Sequence, residues 1–303
     1  MEGFNQQFLL SILIIGLGYV IKKTNILKET DGEVLARLIF NVTLPALIIV
    51  TFHDIVMEAS LFLLVALGII VGLILGIIGI IFFDKEQKST KGMLAMMVPG
   101  YNIGLFAYPL VEGIWGEEGI KYFGMFDVGN AFIVFGLSYL IGSYYAGEQT
   151  KIGYKEIISK LSKSIPLVTY ITVFSLNLLQ VPLPTLFIDT ASIIAQANMP
   201  LSLLLLGIYL HFSIDKKYLY LISKFLFVRF GFGIVVGVLL FIFLPMNEMF
   251  RYTIFVGLLL PTATSLLPYA VEFNYDKKFV GTVSNITMLL SFLLIWLIIN
   301  LTL

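Results

Sequence analysis

The 303-residue chain has no cysteine, two histidines and two tryptophans, and only 13% of its residues are charged. Soluble globular domains carry roughly twice that share of charge. Each shortage excludes something. Without cysteine there is no disulfide framework, thiol nucleophile or thiolate metal site. His53 and His211 lie far apart in sequence, with no HExxH-type companion, so no metal centre is expected. A formal net charge of zero leaves no basic footprint for nucleic acid. No Walker motif, glycine-rich nucleotide loop or GxSxG elbow occurs. An ATP-driven pump or an intramembrane hydrolase would therefore lack machinery, and the chain does not read as an enzyme.

What is present is apolar. Hydrophobic residues make up 59% of the chain, mean hydropathy is +0.98, and there are 26 Phe and 26 Gly. One aqueous core cannot bury so much apolar surface, so the class is an all-α polytopic membrane protein. Glycine is also commoner in membrane helices than in soluble ones. The opening stretch MEGFNQQFLLSILIIGLG has no basic n-region and no small-residue cleavage site after it. It reads as a retained first helix rather than a signal peptide.

Segments of about 20 apolar residues predict ten transmembrane helices, at about 4–21, 34–52, 60–83, 92–115, 119–146, 164–181, 190–212, 218–244, 250–272 and 277–302. Connections after the odd-numbered spans, with their flanks, hold 17 of the 19 basic residues; Lys121 and Arg251 are the exceptions. Positive residues stay inside, so both termini are expected outside the plasma (inner) membrane, with loop 147–163 cytoplasmic. Arg229 is read as sitting at the cytoplasmic end of the eighth span, where it can snorkel.

Five spans per half is an odd number, so duplicated halves, 1–148 and 149–303, must be inverted relative to each other. Their traces run in the same order. Asn41 and Pro45 in span 2 answer Asn198 and Pro200 in span 7. Pro99 and Pro109 in span 4 answer Pro261 and Pro268 in span 9. Asn130 in span 5 answers Asn285 in span 10. In VPGYNIGLFAYPL (98–110), two prolines flank Gly100, Asn102 and Gly104 inside a membrane segment. A lone proline makes a kink. This density of breakers suggests an unwound stretch between half-helices, tolerated in the hydrocarbon only where protein or a cavity surrounds it. The matching stretch LPTATSLLPY (260–269) lies in span 9. Paired breaks in corresponding spans point to a transporter's binding site, and half-helix N-termini there suit an anion. Pro109 and Pro268 are the expected half-helix starts. Asp127, in FGMFDVGNAF, is the one acid deep in a span. It is read as a group that couples an ion or proton or organises the crossover, with Asn130 on the same face, the alternatives being an interhelical hydrogen bond or a shallower position. Asn41, Thr43, Gln196, Asn198 and Ser202 either bond across helices or line the path. Glu112 and Glu272 read as solvated caps.

The stretches ARLIFNVTLPALIIVTF, YNIGLFAYPLVEGIWG, FDVGNAFIVFGLSYLIG and LPTATSLLPYAVEFNYD resemble the auxin efflux carrier family, over essentially the whole chain. That resemblance implies two inverted five-helix repeats with broken crossover helices 4 and 9, as in sodium/proton antiporters and bile-acid transporters. It implies a dimerising scaffold of spans 1, 2, 6 and 7 (about 4–52 and 164–212). It also implies a transport domain of spans 3–5 and 8–10 (about 60–146 and 218–302) that moves elevator-fashion. The family's crossover asparagine maps to Asn102 and its prolines to Pro109 and Pro268. Expected substrate contacts are Asn102, Tyr101, Ile103, Pro109, Thr264, Ser265, Pro268, Asn41 and Asn198; expected ion-coupling residues are Asp127, Asn130 and Asn285. The implied function is carriage of a small organic anion such as malate, malonate or an auxin-like acid. No cofactor is implied beyond a coupling Na+ or H+, and the partners are the lipid bilayer and a second copy of the chain. The second break has Thr262, Thr264 and Ser265 but no amide, which departs from a symmetric pair. With no Lys or Arg near either break, helix dipoles and amides would have to hold the carboxylate. A passive channel and a sodium-coupled carrier are the competing readings.

Overall fold

The computed structural model describes residues 2–56, 58–146, 154–211 and 215–302. Part of the expected cytoplasmic loop, 147–153, lies outside them. Among the described residues there are helices and no β-strand. The first helices are α1 (Glu2–Lys23), α2 (Gly32–Leu38) and α3 (Leu44–Phe52). Pro45 cannot donate to the carbonyl four residues back, and the turn before it, Ile39–Thr43, widens to a π-helix. Then come α4 (Ala59–Phe82), α5 (Lys88–Met97), α6 (Tyr108–Phe132) and α7 (Tyr139–Ala146), with π-helical turns at Ile103–Ala107 and Ile133–Ser138. The amphipathic α8 (Tyr154–Lys163) meets α9 (Ile165–Leu178) at a bend of 73°. The remainder is α10 (Thr185–Ala195), α11 (Asn198–Tyr209), α12 (Leu219–Phe243), α13 (Glu248–Gly257), α14 (Leu266–Glu272) and α15 (Lys277–Thr302).

Seven helical stretches among the described residues are long and apolar enough to cross a membrane. One, Ile103–Ala146, is 44 residues long, about twice what a bilayer core needs. It contains Gly116 at φ 59°, ψ −141°, a left-handed conformation that glycine adopts without strain. The chain reverses there. Gly119 packs back on Val111, Tyr108 meets Asp127 and Tyr101 meets Asn130, the antiparallel pairing of a hairpin. The boundary expected between the fourth and fifth spans is this turn. The seventh span begins at Thr185, earlier than the expected 190, because Asp189 sits exposed within the helix rather than ending it.

Two helix groups emerge from the packing. In one, α1 lies on α11, and α3 lies on α9 and α10; in the other, α4 lies on α6, α5 on α7, α12 on α13 and α14 on α15. Close crossings are made by glycine. A methyl group on Gly18 or Gly207 would overlap the facing main chain of α11 or α1; between α4 and α6, Gly129 is as tight and Gly68 somewhat less so. Lipid supplies no hydrophobic drive for helix association, so close backbone packing carries it. Helix α6 touches both groups, since it also packs on α1 and α11.

Candidate functional site

Two helices are broken near their middles. The first break, 98–102, separates α5 from the π-turn that opens α6; the second, 258–265, separates α13 from α14. Gly100 at φ +80° lets the first segment turn out of the helix, at a position where a Cβ would also press on Val134. The segments cross antiparallel. Tyr101 pairs with Thr262, and Asn102 N–H donates to the Pro261 carbonyl at 2.9 Å. Each break thus satisfies main-chain groups that the other leaves orphaned, as backbone in a bilayer must.

Side chains complete the first break. Asn130 behaves as a substitute peptide: its Oδ1 accepts from Tyr101 N–H at 2.8 Å and its Nδ2 donates to Tyr101 O at 3.0 Å. Nδ2 also reaches Asp127 Oδ1 at 3.2 Å, and Tyr108 Oη donates to Asp127 Oδ2 at 2.9 Å. Tyr108 in turn bonds Tyr170 of α9, so a chain of polar contacts links the break to the other helix group. Asn102 caps the arm it opens, with Oδ1 accepting from Leu105 N–H at 3.3 Å. Ile103 is buried beside it.

The second break uses hydroxyls. Thr262 N–H donates to Thr287 Oγ1 at 3.3 Å, and Thr262 Oγ1 donates to Ser284 Oγ at 3.2 Å. Thr264 and Ser265 are partly exposed just before α14. Pro268 stands in the first turn of that short helix and is exposed.

Several expectations change. Arg229 does not snorkel. It is fully buried, donates through Nη1 to Val98 O at 2.5 Å and through Nη2 to Gly100, Leu260 and Pro261 carbonyls at 2.9, 3.0 and 3.0 Å. Its guanidinium lies 4.5 Å from the centre of the Tyr101 ring. A basic residue therefore does stand at both breaks. Pro109 does not start its half-helix: the arm begins at the π-turn at Ile103, whose wider register accommodates the missing N–H of Pro109. Asn285 is not the counterpart of Asn130. It accepts from His211 N–H at 3.1 Å and donates to Gly281 O, while Thr287 takes the matching place. Asn41 is exposed, whereas Asn198 is buried and accepts from Thr43 Oγ1 at 3.0 Å, an interhelical bond between the 39–43 turn and α11, both of which pack against the turn at Ile103–Ala107. Glu112 is partly buried with Oε2 lacking a partner, rather than a solvated cap.

Two broken helices crossing at unwound backbone inside an all-helical membrane protein define a membrane transporter. The comparisons agree. The model of the membrane transport protein family matches residues 6–299, and the chain belongs to that family, the one to which the motif resemblance to auxin efflux carriers points. It is 24% identical to an uncharacterised transporter of Methanocaldococcus jannaschii over 323 aligned residues, covering 96% of this chain and 98% of that one. It is 27% identical to an uncharacterised transporter of Methanothermobacter thermautotrophicus over 155 residues, about half of each chain.

Proposed function

We propose that this transporter is a secondary active or facilitative carrier of small organic anions, carboxylates of the malate, malonate or auxin-like class, bound beside the crossing. The observation that carries the reading is the junction itself. Asn102 N–H on Pro261 O brings the starts of the two half-helices, the arm from Ile103 and α14 from Leu266, to one place. Their N-terminal dipole ends favour negative charge. Arg229 steadies this junction, its guanidinium donating to main-chain carbonyls of both breaks. Asn102, Tyr101 and Ile103 contribute one wall of the site, and Thr264 and Ser265 the other. Asp127, with Asn130, is the group through which a proton couples.

The wider reading follows the same division. Ten crossings form two inverted five-helix repeats, with both termini outside. The group α4–α7 with α12–α15 moves elevator-fashion against α1–α3 with α9–α11. What supports this is the packing into two groups that meet mainly along the α6 arm. The stationary group pairs two copies of the chain, and Leu186, Phe187 and Ile193 of α10 leave apolar surface for lipid or that second copy.

Uptake of labelled malate, malonate and indole-3-acetate into proteoliposomes tests the proposal. Saturation and trans-stimulation are expected; a linear, unstimulated flux would identify a pore instead. Asn102→Ala is expected to cut uptake about tenfold, the equivalent of one charge-assisted hydrogen bond. Unchanged uptake of every accepted substrate in that variant would remove the crossing from the site.

A further inference from the structure

Arg229 is the most unusual group in the molecule. It belongs to α12, yet both terminal nitrogens donate only to main-chain oxygens of two other segments. Met97, Val98 and Gly100 come from the end of α5 and the first break; Leu260 and Pro261 come from the second. The guanidinium also lies against the Tyr101 ring face, and Nε is buried without a hydrogen-bond partner. No ion pair to it exists among the described residues, although a buried, unpaired guanidinium costs several kcal/mol unless its surroundings compensate.

The compensation is visible. The carbonyls lie where α5 and α13 end, and a helix C-terminus carries about half a negative elementary charge. Two such ends converge on one point and need a cation. In transporters with discontinuous helices, unwound carbonyls and half-helix C-terminal ends are the groups that coordinate a coupling alkali ion. Here five carbonyl oxygens and an aromatic face surround a guanidinium instead.

We propose that Arg229 is a tethered cation. Its guanidinium fills the position an exchangeable ion would occupy, and it fastens the two breaks together without any ion from solution. Arg229 is a positioning residue: it acts on substrate through the segments it holds. The native crossing is indifferent to sodium, and coupling, where present, falls to a proton. Removing the side chain leaves a carbonyl-lined cavity selective for cations. The uptake part of this inference rests on the proposed carrier function; the stability part does not.

Thermal melting of purified protein in detergent tests it, in sodium, potassium, guanidinium and choline chlorides at equal millimolar concentration. Wild type is expected to melt alike in all four. Arg229→Ala is expected to melt lower in choline and to rise saturably, by about 3 °C or more, in guanidinium. In proteoliposomes the same variant is expected to regain uptake at least tenfold with guanidinium over choline. A sodium-specific rise in wild type would overturn the proposal, as would an Arg229→Ala response equal in guanidinium and choline. Should Arg229→Ala yield no folded protein, charge decides. Arg229→Lys is expected to fold where Arg229→Gln does not, and a lysine variant that fails as completely as the glutamine one overturns the tethered cation.

Discussion

The two breaks make the same backbone crossing with different side chains. The first is fastened by an amide. Asn130 holds both main-chain groups of Tyr101 at 2.8 and 3.0 Å and hands on to Asp127, Tyr108 and Tyr170. At the second break, a pair of hydroxyls holds Thr262 at 3.2–3.3 Å. An amide presents a donor and an acceptor in one plane, so it can replace a whole peptide unit; a hydroxyl has one proton to give. Arg229 spans the inequality, taking three carbonyls from the first segment and two from the second. The first break is thus held by shorter hydrogen bonds than the second.

The largest effect that would break this comparison comes from matched truncations. Asn130→Ala leaves the Tyr101 N–H and carbonyl unpaired in apolar surroundings, at about 1–3 kcal/mol for each. Its melting temperature is expected to fall by on the order of 10 °C. Thr287→Ala removes one weak acceptor and is expected to cost about 1 kcal/mol, or about 3 °C. Equal falls in the two variants would show that the breaks are fastened alike.

How much of this was legible in the sequence follows from the same contrast. The breaks were readable because proline and glycine act through the backbone, and backbone rules hold wherever a segment lies. The partner of Asn130 was not readable. Matching amide to amide points to Asn285, but it is Thr287, two residues further along α15, whose hydroxyl meets Thr262. Arg229 was missed because its count with the cytoplasmic lysines fitted the charge asymmetry. A signal was present: in KFLFVRFGFG it stands five residues deeper than Lys224, about 7.5 Å further along a helix. The asymmetry survives its removal from that tally. Pro109 misled because a π-turn, which leaves no mark in sequence, moves the start of the arm to Ile103.

A smaller effect sharpens the polar side of the comparison. Asp127→Asn keeps the size and one acceptor but removes the charge facing Tyr108 Oη and Asn130 Nδ2. The variant is expected to fold, to lose about tenfold in uptake, and to lose the pH response of the wild type. Uptake measured from pH 5 to 8 decides it: identical profiles in wild type and variant would clear Asp127 of proton coupling. Smaller again is Tyr170→Phe, which removes a hydroxyl shared with Tyr108 across the two helix groups. Stability should barely change. The exchange rate should shift about fivefold, the equivalent of roughly 1 kcal/mol, if that contact is broken and remade in each cycle.

The smallest expected effect concerns the far end of the second half-helix. Glu272 closes α14, where it accepts from Tyr139 Oη at 2.7 Å and pairs with Lys160 of α8 at 2.7 Å. The Lys160 ammonium also lies 4.3 and 5.0 Å from the ring centres of Tyr139 and Tyr269. So the second half-helix, weakly held at the crossing, is held again from the surface by the helix that leads into α9. This pair is partly exposed, and an exposed ion pair contributes about 0.2–1 kcal/mol, with a similar amount from a surface cation–π contact. A double-mutant cycle of Lys160→Ala and Glu272→Gln, read by melting, should give a coupling of about 0.5–1 kcal/mol that shrinks in 1 M salt. A coupling that persists undiminished at high salt would mean that α8 holds α14 by packing, and the surface tether would not be electrostatic.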